Sequence, residues 1–192
     1  MKSKLIFFFI LGHVLVNAQT DFYSKLAIAA EDLANDHVSY DPSYFAIPYP
    51  NGDVPKGKGV CTDVVIRAYR KLGIDLQQRV HEDMVEKFDK YPNIWGLTRT
   101  DTNIDHRRVP NLMAFFQRFG KSLAISDKAE DYKPGAIVCW NLGGATTHIG
   151  LVTSVDNRDG NRKLIIHNIG NGQVFEDCLF SYYIIGHYRY SP

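Results

Sequence analysis

The sequence has almost no excess of charge of either sign, because 22 lysine and arginine residues stand against 21 aspartate and glutamate residues. A balanced charge gives no broad positive field that would attract nucleic acid. Internal repeats are absent, and hydrophobic residues make up 45% of the 192 residues, which is typical of a folded protein. We therefore expect a globular protein that does not bind nucleic acid.

A long hydrophobic run occurs only at the N-terminus. Lys2 and Lys4 precede the apolar run Leu5 to Leu11, and the small-residue exit ends at Ala18, before Gln19. This layout predicts a signal peptide over residues 1–18, since the run is short for a membrane span. An uncleaved membrane anchor is the alternative. No cysteine stands directly after the cleavage point, where a lipid would be attached. We therefore expect an exported protein, periplasmic or extracellular, without a lipid anchor or a stable membrane span.

The rest of the chain, residues 19–192, is long enough to form a single domain with its own core, and we expect it to be a monomer. Its first half contains apolar residues at helical spacing. A loop rich in proline and glycine over residues 40–59 interrupts this pattern. The predicted helices cover residues 21–36, 61–72, about 81–90, and 110–119.

The second half of the chain consists of short runs rich in β-branched and aromatic residues, separated by turn-forming residues. Helices followed by strands are typical of an α+β domain in which N-terminal helices pack on an antiparallel sheet. The predicted strands are Ala136 to Trp140, Ile149 to Val155, Lys163 to Asn168 and Tyr182 to Tyr190.

Cysteine is scarce and its number is odd, so at least one of the three thiols has no internal partner. Cys139 and Cys178 lie in or beside strand-like sequence and could pair or pack as buried hydrophobic residues. Cys61 instead follows the glycine-rich segment Lys56 to Gly59 and begins the second predicted helix. A helix start stabilises a thiolate and lowers its pKa, which makes Cys61 a candidate nucleophile. A buried structural cysteine is the alternative.

Two histidines are candidate partners for this thiol. His148 begins one predicted strand and His167 ends the next. Adjacent antiparallel strands bring such positions to the same end of a sheet, so one imidazole can act as the base and the other can orient it. Each could also be an ordinary hydrogen-bonded strand histidine.

The order of these residues resembles the NlpC-type, papain-like cell-wall cysteine peptidases. Three segments carry the resemblance: Tyr132-Lys133-Pro134-Gly135-Ala136-Ile137-Val138, His148-Ile149-Gly150-Leu151-Val152 and Ile165-Ile166-His167. The resemblance implies a papain-like fold with Cys61 as nucleophile, His148 as base and His167 as the orienting residue. Departures from the superfamily pattern are Val60, Thr62 and Asp63 around the cysteine, and Ala136 after Pro-Gly.

A closer resemblance covers nearly all of residues 19–192 and is to the bacterial family catalogued as domain of unknown function 1287. It implies the same fold and mechanism, without a substrate. The segments that carry it are Tyr49-Pro50-Asn51-Gly52-Asp53-Val54-Pro55, Gly59-Val60-Cys61-Thr62-Asp63-Val64-Val65, Asn103-Ile104-Asp105-His106-Arg107-Arg108-Val109-Pro110-Asn111 and Gly186-His187-Tyr188-Arg189-Tyr190.

Charged residues concentrate just before the fourth predicted helix, where guanidinium groups could bind a carboxylate of a peptide substrate. A solvated basic loop is the alternative. The histidines and cysteines lack the paired spacing of a zinc site, so we expect no metal and no cofactor. The predicted substrate-binding residues are Asp105, His106, Arg107 and Arg108, together with Tyr49 and Asp63 nearer the candidate nucleophile.

These features together predict an exported cysteine hydrolase that cleaves an amide bond in peptidoglycan stem peptides. Two alternatives remain open at this stage. An acyltransferase would use the same residues with an amine or alcohol as acceptor, and a non-catalytic cell-wall or partner-binding protein would keep Cys61 buried or oxidised. The sequence leaves undecided which bond is cut and whether Cys139 and Cys178 are joined.

Overall fold

The computed structural model describes residues 21–192 of the chain. The predicted signal peptide, residues 1–18, lies outside the described residues. Within residues 21–192, no helix is both long enough and apolar enough to cross a membrane.

Four α-helices in the described part of the chain follow the predicted order. Helix α1 covers residues 21–31 and continues as a 3-10 turn. Helix α3 begins at Leu76, earlier than the predicted start near His81, because the Asp75 side chain caps it by accepting a hydrogen bond from the backbone N–H of Gln77 at 2.9 Å. The remaining bounds are Cys61–Lys71 for α2, Leu76–Glu86 for α3 and Val109–Phe119 for α4.

Residues 21–192 contain eight strands, which form two sheets. The first two, β1 (Ser39–Tyr40) and β2 (Lys58–Gly59), pair in parallel at the two ends of the proline- and glycine-rich loop. The other six form an antiparallel sheet in the order β3-β8-β4-β5-β6-β7. This mixed α+β architecture confirms the predicted class, although β1, β2, β3 and β7 were not predicted. The six strands are β3 (Lys121–Ser122), β4 (Ile137–Gly143), β5 (Thr146–Asp156), β6 (Lys163–His167), β7 (Val174–Glu176) and β8 (Tyr183–Arg189).

The six-stranded sheet is covered on both faces. Ile137 and Cys139 of β4 pack into the larger core cluster, which also contains the buried faces of the helices. Val138 and Trp140, which point to the opposite face, pack into a second, smaller cluster. Because both faces are buried, β4 reads in the sequence as a continuous apolar run. Helix α2 packs against β5, which brings its N-terminus to the region where the strand histidines lie.

Candidate active site

Cys61 is the first residue of α2, as predicted. Val60 before it is extended, with φ of −127°, and its N–H donates to Asp63 Oδ2 at 2.7 Å. The Asp63 carboxylate therefore caps the helix and fixes the turn at Cys61. From the sheet, the buried Asn168 side chain donates to the carbonyl of Gly59 at 3.2 Å, so the end of β6 holds the segment that delivers Cys61.

His148 and His167 form a direct hydrogen bond, as their positions on adjacent strands predict. Nε2 of His148 lies 2.7 Å from Nδ1 of His167, and both residues are buried. Gly150 makes room for this contact, because a Cβ at Gly150 would lie 3.1 Å from the Cβ of His167. This hydrogen bond uses Nε2 of His148 and leaves Nδ1 available to exchange a proton with another group.

A third residue, Glu176 of β7, contacts the other side of the His167 ring. Its Oε2 lies 3.1 Å from His167 Nε2, because the register of β6 and β7 places both side chains on one face. A carboxylate can only accept, so His167 carries its proton on Nε2 and presents Nδ1 as an acceptor. His148 must then donate through Nε2, which leaves a lone pair on its Nδ1. The sequence interpretation missed Glu176 because β7 is short and lies at the sheet edge.

Burial dominates the protonation of these groups. It raises the pKa of Cys61 to about 12, and the backbone N–H groups of Ile149, Thr62 and Cys61 itself offset this only in part. The expectation that the helix start lowers the pKa of Cys61 is therefore wrong in direction, because desolvation outweighs the N-terminal amides. Burial, followed by the charge of His167, lowers the pKa of His148 to about 3. The resting pair is thus a neutral thiol and a neutral imidazole.

The Cys61 sulfur lies beside the strand that carries His148, since it accepts the backbone N–H of Ile149, the next residue. Among the described residues, Cys61 and His148 do not share a hydrogen bond in this resting arrangement. Catalytic contacts are often long in unliganded enzymes and shorten when substrate binds. His148 is paired with Trp140 across β4 and β5 and shares its face of the sheet, with ring centroids 5.8 Å apart. Cys61 packs in the larger cluster on the other face, so the two side chains approach β5 from opposite faces.

Two of the predicted substrate-binding residues are structural. Arg107 is 7% exposed and Asp63 is 3% exposed. The guanidinium Nε and Nη2 donate to the two carboxylate oxygens of Asp63 at 3.0 and 3.1 Å. The Thr62 hydroxyl also donates to the backbone carbonyl of Arg107 at 3.2 Å. The Asp63 carboxylate already binds the Nε and Nη2 groups of Arg107, and this contact supports the start of α2. The prediction that this guanidinium binds a substrate carboxylate is therefore corrected.

In the rest of the charged segment, Asp105 and His106 are buried and Arg108 is half-buried. Asp105 is 0% exposed and accepts the backbone N–H of Asp101 at 2.7 Å, while burial raises its pKa. His106 is buried, and burial lowers its pKa to about 3. Arg108 stacks on Trp95, with its guanidinium carbon 4.1 Å from the ring centroid. Each of these three side chains also keeps a buried polar atom without a hydrogen-bond partner among the described residues, namely Asp105 Oδ1, His106 Nδ1 and Arg108 Nη1. Their predicted role in substrate binding therefore stays a prediction.

The aromatic residue beside Cys61 is Tyr40. Predicted Tyr49 is exposed and makes an edge contact with His81 of α3, with ring centroids 5.1 Å apart. Tyr40 pairs with Gly59 across β1 and β2, and Gly59 stands two residues before Cys61. Burial, and next the charge of Cys61, raise the pKa of the half-exposed Tyr40. Tyr40 is therefore an aromatic residue of the Cys61 surroundings that the sequence interpretation missed.

The other two cysteines are free thiols, as is Cys61. Cys139 packs in the larger core cluster and Cys178 in the smaller one. These clusters lie on opposite faces of the six-stranded sheet. The sheet therefore separates the two thiols, and the question that the sequence left open is answered against a disulfide between them.

A cavity of about 670 Å³ lies along α2, beside Arg67 and Arg70. Cys61 and His148 do not line it. Both arginines donate to Asp53, Arg67 through Nε at 2.9 Å and Arg70 through Nη1 at 2.9 Å. Asp53 therefore pairs with both arginines, and the cavity is separate from the candidate catalytic residues.

Comparison with known proteins gives one family and one curated relative. The family described as "Domain of unknown function (DUF1287)" matches residues 27–190. A protein of Escherichia coli (strain K12), named "Uncharacterized protein YijF", is 47% identical over 176 residues, which cover 92% of this chain and 85% of the relative. No solved structure gives a significant match. Since the family match spans nearly the whole described chain, this protein belongs to the DUF1287 family.

Proposed function

We propose that this protein is an exported cysteine hydrolase of the papain-like, NlpC type, with Cys61 as nucleophile and His148 as base. The observation that carries the proposal is the hydrogen-bonded series from His148 through His167 to Glu176, with distances of 2.7 and 3.1 Å. This series fixes the tautomer of His148 so that its Nδ1 can accept a proton. Helices packed on an antiparallel sheet, with the cysteine at a helix start, support the papain-like assignment.

The resting pair is neutral, which favours a general-base mechanism, and the mechanism requires the His148 ring to turn around the start of β5 towards Cys61. As the Cys61 sulfur attacks the carbonyl carbon of an amide, its proton passes to His148 Nδ1, and His167 stabilises the resulting imidazolium through Nδ1. His148 then gives this proton to the leaving amine when the carbon–nitrogen bond breaks. Water attacks the thioester with His148 again as base, which releases the acid and restores the thiol.

The oxyanion of the tetrahedral intermediate needs donors beside Cys61. The backbone N–H of Cys61, in the first turn of α2, is one such donor. The Tyr40 hydroxyl is a second candidate, because this half-exposed side chain lies within the electrostatic reach of Cys61. These two groups come from different segments that meet at the β1–β2 pair.

The proposed substrate is an amide bond in peptidoglycan stem peptides. The predicted signal peptide and the resemblance to cell-wall peptidases support this choice. Acyl transfer to an amine or alcohol would use the same residues. Product analysis with and without an added amine separates the two reactions, since only acyl transfer yields the amine adduct.

The test of the proposal is turnover of purified peptidoglycan fragments by the wild-type protein and by Cys61→Ala. We expect Cys61→Ala to fold and to lose all detectable turnover, because the nucleophile is gone. Cys139→Ala is the matched control, since it removes another buried thiol of the same core cluster. Full turnover by Cys61→Ala would overturn the hydrolase assignment.

The burial of Cys61 favours one other candidate, a non-catalytic cell-wall-binding protein. Cys61 is only 8% exposed, and its raised pKa describes an unreactive thiol. Iodoacetamide labelling followed by peptide mass mapping distinguishes the candidates. A hydrolase should label at Cys61 in a manner that depends on His148, so His148→Gln slows it. Binding to peptidoglycan that survives Cys61→Ala, with no labelling of native Cys61, would favour the binding protein.

A further inference from the structure

Three side chains of different chemistry converge at the outer end of the His148–His167 pair. His167 Nε2 lies 3.1 Å from Glu176 Oε2 and 3.6 Å from Cys178 Sγ. One potential ligand atom from each of the three residues lies within 4.8 Å of the others. His167 is fully buried and Cys178 is 6% exposed, so two of the three side chains are fixed by packing.

The two separations from His167 Nε2 match those around a tetrahedral zinc ion. With bonds of about 2.3 Å to sulfur and about 2.0 Å to nitrogen or oxygen, zinc holds sulfur and nitrogen ligands about 3.5 Å apart and nitrogen and oxygen ligands about 3.3 Å apart. The corresponding distances here are 3.6 and 3.1 Å. A mixed sulfur, nitrogen and oxygen ligand set suits Zn²⁺ better than Mg²⁺ or Ca²⁺, which prefer oxygen alone.

We propose that His167, Glu176 and Cys178 form a zinc-binding site, and that an ion bound there switches off the base His148. The site itself follows from the three side chains, whereas its inhibitory effect rests on the proposed hydrolase function. The Glu176 side chain is 35% exposed, which gives the ion a path from solvent and room for water as a fourth ligand.

The inhibition follows from the protons of the two rings. Zinc takes the lone pair of His167 Nε2, so the proton of that ring moves to Nδ1. His167 Nδ1 then donates to His148 Nε2, and the proton of His148 moves to its own Nδ1. The number of imidazole protons does not change, and the Cys178 thiol releases one proton to water when its sulfur binds the ion. With Nδ1 protonated, His148 can no longer accept the proton of Cys61.

The binding test uses the purified protein carrying Cys61→Ala, so that the outcome is independent of the nucleophile. After treatment with a chelator, the protein is titrated with Zn²⁺ against a chromogenic chelator, and with Co²⁺ to detect sulfur-to-metal charge-transfer absorption. We expect one ion per chain and a thiolate–cobalt band. Adding Cys178→Ser should remove the band and weaken Zn²⁺ binding at least tenfold, while adding Cys139→Ala should change neither.

Glu176→Gln provides a second variant at a partly exposed position, where folding is less at risk than at Cys178. We expect it to weaken Zn²⁺ binding at least tenfold as well. Circular dichroism confirms that each variant is folded. Absence of stoichiometric binding, or binding by folded Cys178→Ser and Glu176→Gln that is as tight as in the Cys61→Ala parent, would overturn the proposed site.

The inhibitory consequence has its own readout in the protein with Cys61 intact. Zn²⁺ should inhibit turnover of peptidoglycan fragments, and Cys178→Ser should need at least tenfold more Zn²⁺ for the same fractional inhibition. Zinc binding without any hydrolase activity would retire the hydrolase proposal and keep the site. Activity that is insensitive to Zn²⁺ while the ion is bound would overturn the tautomer switch.

Discussion

Two regions of the molecule bury ionisable side chains, and they use them differently. In the charged segment of residues 105–108, Arg107 is matched by the Asp63 carboxylate, so its hydrogen-bonding capacity is met inside the fold. At the sheet edge, the series from His148 to Glu176 is open at both ends. It ends at a free His148 nitrogen on one side and at the half-exposed Glu176 on the other.

The two regions differ in what the buried side chains can still do. A fully matched ion pair stabilises one conformation and has no capacity left for a ligand. A series of imidazoles with a free lone pair keeps a group that can accept a proton, and the Cys61 sulfur lies beside the same strand. A buried histidine occurs in both regions, so burial and a lowered pKa alone do not identify the active site.

Substitution of His148 should separate the two regions most strongly. His148→Gln keeps the side-chain volume but cannot accept a proton, so turnover should fall about 10⁴-fold, the upper range for loss of a general base. We expect the midpoint of thermal unfolding to change little. Steady-state kinetics and circular dichroism measure both effects. Turnover within tenfold of wild type would show that His148 is not the base.

Arg107→Met should have the opposite profile, with its main effect on stability. It leaves the buried Asp63 carboxylate without its partner, which should lower the free energy of unfolding by about 3–5 kcal/mol. Arg162→Met, which removes a partly exposed ion pair with Asp177, should change the free energy of unfolding far less, because solvent screens that pair. Urea denaturation compares the two variants. Equal losses would contradict the structural role of the Asp63–Arg107 pair.

The pH dependence of stability should reveal His106, the buried histidine of the charged segment. Its pKa is lowered to about 3, so the unfolded chain binds the extra proton first as the pH falls below about 6.5. The stability that His106 contributes is therefore complete above that pH and is lost towards pH 3. His106→Gln should reduce the slope of unfolding free energy against pH between about 6 and 4 by about 1.4 kcal/mol per pH unit.

Urea denaturation at several pH values measures this slope, with turnover recorded at pH 7.5. The same slope in His106→Gln and wild type would contradict a neutral, buried His106. Loss of turnover in a stably folded His106→Gln would instead connect the charged segment to the chemistry and weaken the contrast between the two regions.

The α+β class and the proximity of His148 to His167 are predictable because they depend on local patterns. Glycine and proline end the apolar periodicity on either side of α2 and α4. His148 lies near the start of one strand and His167 at the end of the next, so antiparallel pairing of the two strands brings them together. The direction in which the segment 105–108 faces is set by packing against Asp63 and Trp95, which the local sequence does not encode. Glu176 lies in a three-residue edge strand whose pairing with β6 is a property of the whole sheet.

Glu176→Gln should have the smallest effect and tests how the outer end of the series acts. The amide can accept from His167 Nε2 through oxygen, but it can also turn and donate, which favours the tautomer that leaves His148 without its lone pair. Because the Glu176 side chain is 35% exposed, water competes for His167, and we expect kcat to fall about tenfold with KM unchanged. Asp177→Asn is the control, since this neighbouring carboxylate pairs with Arg162 instead. A lower kcat in both variants would point to a general loss of charge at this edge, whereas a loss confined to Glu176→Gln would show that the carboxylate acts through the tautomers of the two histidines.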